Sequence, residues 1–194
     1  MPCSFEVVLA SGNAHKFKEL SALFAPIGVS LVFGPDRLEL DVEETGKTYA
    51  ENALLKATAW SKALRMPALA DDSGLEVQTL GWAPGLFSSR VAPTDGDRIR
   101  WLLDRMRDKE CRTARFVACL ALVRPGNSGT QVILAEGFCW GKIAAEATGL
   151  SGFGYDPVFI PRGRDKSFGE LGEGVKSRIS HRAVATCAMR DMLE

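Results

Sequence analysis

Hydrophobic and polar positions alternate along the chain in a way that predicts an α/β protein. An apolar run, Phe5-Glu6-Val7-Val8-Leu9-Ala10, reads as a buried strand, and Ser11-Gly12-Asn13 breaks it. From Ala14 to Phe24, apolar residues recur at Phe17, Leu20, Leu23 and Phe24, the spacing of one helix face. Val29 to Phe33 predicts a second strand, ended by Gly34-Pro35-Asp36. The clearest helix runs from Thr48 to Leu64. Thr48 and Glu51 have capping-box spacing, and Ala50, Ala53, Leu54, Ala57, Trp60 and Leu64 form one stripe. Thr48, Asn52 and Lys56 lie opposite as a narrow polar ridge, expected to face solvent.

Met66 to Ala70 reads as a turn feeding a buried strand, with Asp71-Asp72 where that strand should surface. Gly81 to Pro93 is loop-rich, and Thr94 to Arg107 predicts a helix with an acidic start and a basic end, matching the helix dipole. Phe116–Val123 and Gln131–Trp140 predict long strands joined through Pro125-Gly126-Asn127-Ser128-Gly129. Gly149 to Gly174 is rich in glycine and charge. Ser180 to Leu193 predicts a closing helix with Val184, Ala188 and Met192 inside. With no repeats and no linker, residues 1–194 are expected to form a single domain.

Composition narrows the function classes. Twenty-four basic and twenty-four acidic residues leave no overall field for a nucleic acid polymer. Cys3, Cys111, Cys119, Cys139 and Cys187 have no C-x-x-C spacing, and His15 and His181 are the only histidines. A closed zinc site is therefore not expected, and the cysteines read as reduced core residues of a cytoplasmic protein. The start of the chain has no signal-peptide pattern, and no apolar run approaches the ~18 residues of a membrane span.

Five segments carry candidate chemistry. Ser11-Gly12-Asn13-Ala14-His15-Lys16 is either a capped turn or a phosphate cradle at a helix start. The acidic run Asp41 to Gly46 is either a solvated loop or a source of one glutamate for a hard cation, shared with Asp71 or Asp72. Neighbouring aspartates repel unless compensated, so Asp71-Asp72 is either a solvated turn or a metal and phosphate site. Gly149 to Pro157 sets Phe153 and Tyr155 between glycines, suited either to a tight turn or to stacking on a base. Arg162 to Arg182 carries a local excess of three positive charges before His181 is counted. It is either a solvated face or an anion site at the helix start Ser180-His181-Arg182.

In this order the segments resemble the inosine/xanthosine triphosphate pyrophosphatase family, the Ham1-like noncanonical purine NTP pyrophosphatases. The match is carried by Ser11-Gly12-Asn13 with Lys16, Glu43-Glu44-Thr45-Gly46, Glu51-Asn52-Ala53 with Lys56, Ala70-Asp71-Asp72-Ser73-Gly74-Leu75, Ala83-Pro84-Gly85, Gly152-Phe153-Gly154-Tyr155-Asp156-Pro157, and Lys176 with Ser180-His181-Arg182. Gly172 and Val175 depart from the family pattern, which often has Ser or Thr and an acidic residue there.

The resemblance implies an elongated α/β fold, a long twisted mixed β-sheet with flanking helices and two lobes framing a nucleotide cleft, usually as a homodimer. It implies Mg²⁺-dependent hydrolysis of ITP, dITP and XTP to the monophosphate and pyrophosphate, clearing deaminated purines. By the same resemblance Ser11, Gly12, Asn13, Ala14, His15 and Lys16 line the triphosphate site with Lys56. Glu44 and Asp72 serve the metal, Asp72 acts catalytically and Ser73 contacts substrate. Phe153, Gly154, Tyr155 and Asp156 hold the base, and Lys176, His181 and Arg182 complete the pocket. Chemically, Asp72 is better suited to bind metal and orient water than to act as a free base, because an ordinary Asp has a pKa near ~3.9. Adjacent strand residues face opposite ways, so Glu44 rather than Asp71 is its expected partner.

Overall fold

The computed structural model describes residues 5–126 and 129–193. Cys3, and Asn127 and Ser128 of the predicted turn, lie outside them. The first strand, β1 (Phe5–Leu9), is followed by α1 (Ala14–Phe24), β2 (Val29–Phe33), α2 (Tyr49–Leu64) and β3 (Ala68–Val77). Next come α3 (Asp95–Met106) and the long strands β4 (Thr113–Gly126) and β5 (Gly129–Ile143). A short β6 (Phe159–Pro161), α4 (Phe168–Leu171), α5 (Glu173–Ile179) and α6 (His181–Leu193) complete the order. The strands form a six-stranded sheet in the order β2-β1-β3-β4-β5-β6. It is mixed: β1 runs parallel to β2 and β3, pairing Val8 with Ala68 and Leu9 with Leu69, while β5 and β6 are antiparallel.

The chain divides into two compact units. One comprises residues 1–72, 118–137 and 185–194, and the other residues 73–117 and 138–184. In the first, alternation along β1 and β3 sorts side chains to two faces. Val7, Leu9 and Leu69 pack with Leu20 and Phe24 of α1 and with Ala185 and Met189 of α6. Val8, Ala10, Ala68 and Ala70 pack with Ala53, Ala57 and Trp60 of α2. Helices on both faces explain why these strands read as nearly continuous apolar runs. In the second unit, Leu75, Val77, Leu102, Met106, Phe116, Ile143, Val158, Phe159 and Phe168 form the core.

Several expectations are corrected. β3 does not surface at Asp71-Asp72 but continues to Val77, with both aspartates buried. The ridge of Thr48, Asn52 and Lys56 does not face solvent as a whole, because Asn52 is buried and the Lys56 side chain is 13% exposed. In α6 the inner stripe is Ala185 and Met189, whereas Val184 and Met192 are 42% and 50% exposed. The polar residues His181, Arg182 and Thr186 share the buried surface of this helix, which shifts its phase from the apolar pattern. Cys119 and Cys139 are free and buried, but Cys111 and Cys187 are free and exposed rather than core residues. Gly149 to Gly174, read as glycine and charge alone, contains β6 and α4.

Candidate active site

Two clusters of polar side chains emerge, one in each unit. The first gathers on β3, and its geometry follows from the alternation just described. Asp71 is on the same strand face as Leu69, towards α1, and its carboxylate meets Lys16 Nζ of that helix at 2.7 Å. Asp72 follows Ala70 towards α2, and its Oδ1 lies 3.1 Å from Lys56 Nζ. The two carboxylates thus take different lysines, as opposite-facing neighbours must. Lys56 Nζ also donates to Glu44 Oε1 at 2.6 Å and to the Asp71 carbonyl at 3.1 Å. Glu44 and Asp72 therefore direct one oxygen each at a single cation.

Burial, together with the sharing of one ammonium by two carboxylates, sets the protonation preferences here. Burial raises the Asp72 carboxyl above its ordinary value, and repulsion from Glu44 outlasts part of the relief given by Lys56. Burial pulls the Lys56 ammonium down, but Asp72 and Glu44 together carry it above its ordinary value. Lys56 thus stays charged across the neutral range.

Around Ser11 to Lys16, Asn13 caps α1: its Oδ1 accepts from the His15 and Lys16 N–H groups at 2.9 and 3.1 Å. Ser11 Oγ in turn accepts from the Asn13 N–H at 3.2 Å. Asn13 thus caps this turn, with the His15 and Lys16 amides taken by its side chain. Gly12, Asn13, Ala14 and His15 are exposed, and a Cβ on Gly12 would touch nothing within 4 Å.

The second cluster centres on Phe153. Lys176 Nζ sits 4.6 Å and the Arg182 guanidinium 5.5 Å from its ring centroid, within cation–π range. Asp156 Oδ2 accepts the Phe153 N–H at 2.9 Å and pairs with Lys176 Nζ at 2.5 Å. A side chain at Gly152 would collide with that carboxylate, and its φ of +79° also demands glycine. Arg182 donates to Ser73 Oγ at 2.7 Å, and His181 stacks on Phe116 with centroids 4.8 Å apart. Tyr155 departs from the stacking expectation. Its ring is in the core and its hydroxyl donates to the Ser88 carbonyl at 2.9 Å, so Phe153 is the aromatic beside the cations. Of the basic run, Lys176, His181 and Arg182 are buried, whereas Arg162, Arg164, Lys166 and Arg178 are exposed.

A model of the Ham1 family matches residues 7–192. The chain belongs to the Ham1 family. It is 43% identical over 188 residues to a dITP/XTP pyrophosphatase of Synechococcus sp. (strain CC9311), covering 97% of this chain and 89% of that protein. A dITP/XTP pyrophosphatase of Geobacillus kaustophilus is 45% identical over 197 residues, covering 97% and 94%. Among solved structures, a HAM1 protein from Coxiella burnetii superposes with a TM-score of 0.85 at 36% identity, covering 97% of this chain and 98% of that one.

In this Ham1 chain the expected site residues are divided between the clusters, with Lys16, Glu44, Lys56 and Asp72 in the first and Ser73, Phe153, Asp156, Lys176 and Arg182 in the second. Sequence reasoning missed three supporting groups. Asn52 binds Asp72, Asp95 Oδ2 accepts the Gly154 N–H at 2.7 Å, and buried Ser88 Oγ accepts the Leu75 N–H at 2.8 Å. Asn52 stood in a quoted motif and Asp95 in an acidic helix start. Their partners are too far along the chain for spacing to show them.

Proposed function

We propose that this chain is a Mg²⁺-dependent nucleoside triphosphate pyrophosphatase that converts dITP, ITP and XTP to their monophosphates and pyrophosphate. The observation that carries the reading is the convergence of Glu44 Oε1 and Asp72 Oδ1 on one cation, with Lys16 anchored beside them through Asp71. The names of the cyanobacterial and Geobacillus relatives support the substrate class.

The donor set fits a hard divalent cation. Both groups are carboxylates, they already share one cation, and burial of Asp72 as an anion is relieved by added positive charge. Among the described residues, no group of three or more His, Cys, Asp or Glu side chains forms a fuller protein cage. Two carboxylates suit Mg²⁺, which keeps waters and binds substrate phosphates. When bound, the metal would neutralise phosphate charge and acidify a water.

The chain's own residues supply the remainder. Lys16 and Lys56 hold phosphate oxygens as charge develops on the leaving pyrophosphate. Asp72 orients the attacking water rather than acting as a free base. Phe153 offers a face to the purine, and the cations beside it, Lys176 and Arg182, can donate to a 6-oxo group, which adenine lacks. Asp156 is engaged by Lys176 and the Phe153 N–H, so it positions this ring.

The same proposal includes a homodimer acting in the cytoplasm on small nucleotides, not on nucleic acid polymers or at membranes. Its support is an exposed aromatic group of Trp82, Phe138 and Trp140, each 38–40% exposed, around Arg115, which pairs with Glu76 at 2.7 Å. Among the described residues, no helix is long and apolar enough to cross a membrane.

Phosphorus NMR of dITP turnover tests the chemistry. The reading requires pyrophosphate with dIMP, abolished by a chelator and restored by Mg²⁺. Orthophosphate with dIDP would refute the cleavage position, and undiminished turnover in chelator would refute the metal. Near-normal turnover by Asp72→Asn, with Mg²⁺ and dITP still bound, would refute the role of Asp72.

A further inference from the structure

Asn52 is 3% exposed on α2, one helical turn before Lys56. Its Oδ1 accepts the Gly46 N–H at 2.8 Å, which fixes the amide orientation because a backbone N–H requires an acceptor. The Nδ2 group is thereby turned to Asp72 and donates to Oδ2 at 3.3 Å. Asp72 then has one oxygen held by Asn52 and the other directed at Lys56. Gly46 lies two residues beyond Glu44. A Cβ there would come 2.6 Å from Asn52 Oδ1 and 2.7 Å from Glu51 Cβ, so glycine permits the close approach.

We propose that Asn52 is a positioning residue for the acidic centre, its amide locking the Glu44-bearing loop to the Asp72 carboxylate so that both oxygens meet one cation. The proposal rests on reading Glu44 and Asp72 as the metal carboxylates. A buried amide satisfied at both ends costs little to keep and much to break, since its removal leaves the Gly46 N–H without this acceptor and Asp72 without this donor. Lys56, from the same helix, pairs with both anions, and Asn52 sets their spacing. Outer partners of metal carboxylates typically influence affinity or activity by about 10–100-fold.

The test uses the full chain, with Asn52→Ala cutting the lock from the helix and Gly46→Ala crowding it from the loop. Mn²⁺ binding without nucleotide is measured by water-proton relaxation. The Mg²⁺ dependence of dITP turnover is then measured at saturating nucleotide. Each variant should weaken Mn²⁺ binding about tenfold or more and raise the half-saturating Mg²⁺ by a similar factor. At saturating Mg²⁺ the KM for dITP should stay within about threefold, a pattern that general destabilisation would not produce. The double variant should be little worse than either single one, because both break the same link. If the wild-type protein binds Mn²⁺ and the folded variants match it within twofold, the positioning role is overturned. Should the wild-type protein bind Mn²⁺ neither alone nor with a non-hydrolysable dITP analogue, the metal reading itself falls, a distinguishable result. Gly46→Ala provides the measurement if Asn52→Ala does not fold.

Discussion

Lys176→Met should cost this protein much of its stability. The Lys176 and Asp156 side chains are 5% and 2% exposed, and their charged atoms meet at 2.5 Å. Such a pair is not strong evidence of net stabilisation, because both ions were stripped of water. Removing one partner is different: the surviving charge stays buried without its counter-ion, at about 3–5 kcal/mol. Asp156 retains the Phe153 N–H, so Lys176→Met falls towards the lower end. Asp156→Leu also strips that N–H of its acceptor and falls towards the upper end. For a domain of this size about 2–4 °C is lost per kcal/mol, a drop of roughly 6–20 °C in Tm. Urea unfolding followed by circular dichroism, with an unchanged m value, measures the loss directly. The double variant removes both charges, so it should be more stable than the summed singles imply by about 2 kcal/mol or more. Single losses below about 1 kcal/mol, or strict additivity, would refute the argument.

Three further outcomes follow from other parts of the molecule. Burial pushes the Cys119 and Cys139 thiols up to about 12, so the fold favours the protonated form and loses that preference only as pH climbs through that value. At about pH 8 their thiolate fraction is near 10⁻⁴, against roughly a quarter for an ordinary thiol. Iodoacetamide mapping should label exposed Cys111 and Cys187 while sparing both, and rapid labelling of Cys119 would contradict their burial. Asp95→Ala removes the acceptor of the Gly154 N–H and should raise the KM for dITP several-fold with little change in kcat, while Asp95→Asn, which keeps an oxygen acceptor, should recover most of it. An unchanged KM in Asp95→Ala would show that this bond does not support Phe153. On the proposed homodimer, the wild-type protein should scatter as a dimer and Trp140→Glu as a monomer, and a dimeric Trp140→Glu would place the interface elsewhere.

Local signals in the chain were enough for the elements that alternate cleanly. β1, α1, β2 and α2 have ordinary apolar periods, and Thr48 and Glu51 form the predicted reciprocal cap. The charged positions were harder to read, because what decides them lies far along the chain. Asp71-Asp72 suggested an emerging strand end, yet Lys16 and Lys56 from two different helices allow both carboxylates to stay inside. Asp95 lies 59 positions from Gly154, so nothing local announces that bond. α4 is four residues long, too short to show an apolar period, and the structure holds its start with a Ser167–Glu170 capping box. In α6 the apolar spacing predicts Val184, Ala188 and Met192 inside, whereas the buried surface begins with His181 and Arg182. The candidate site was legible as a set of residue types. Its division into a carboxylate–lysine cluster and a Phe153-centred cluster was not, since that depends on which face of β3 each aspartate takes.

The central claim, hydrolysis between the α- and β-phosphates with preference for deaminated purines, is tested most directly by one competition. dITP, XTP, dGTP, dATP and dUTP are mixed at equal concentration with Mg²⁺ and the enzyme, and monophosphates, diphosphates, pyrophosphate and orthophosphate are quantified over time. The account predicts that dITP and XTP are consumed first, each yielding its monophosphate with equimolar pyrophosphate. Equal consumption of all five, or diphosphate and orthophosphate as products, would contradict it.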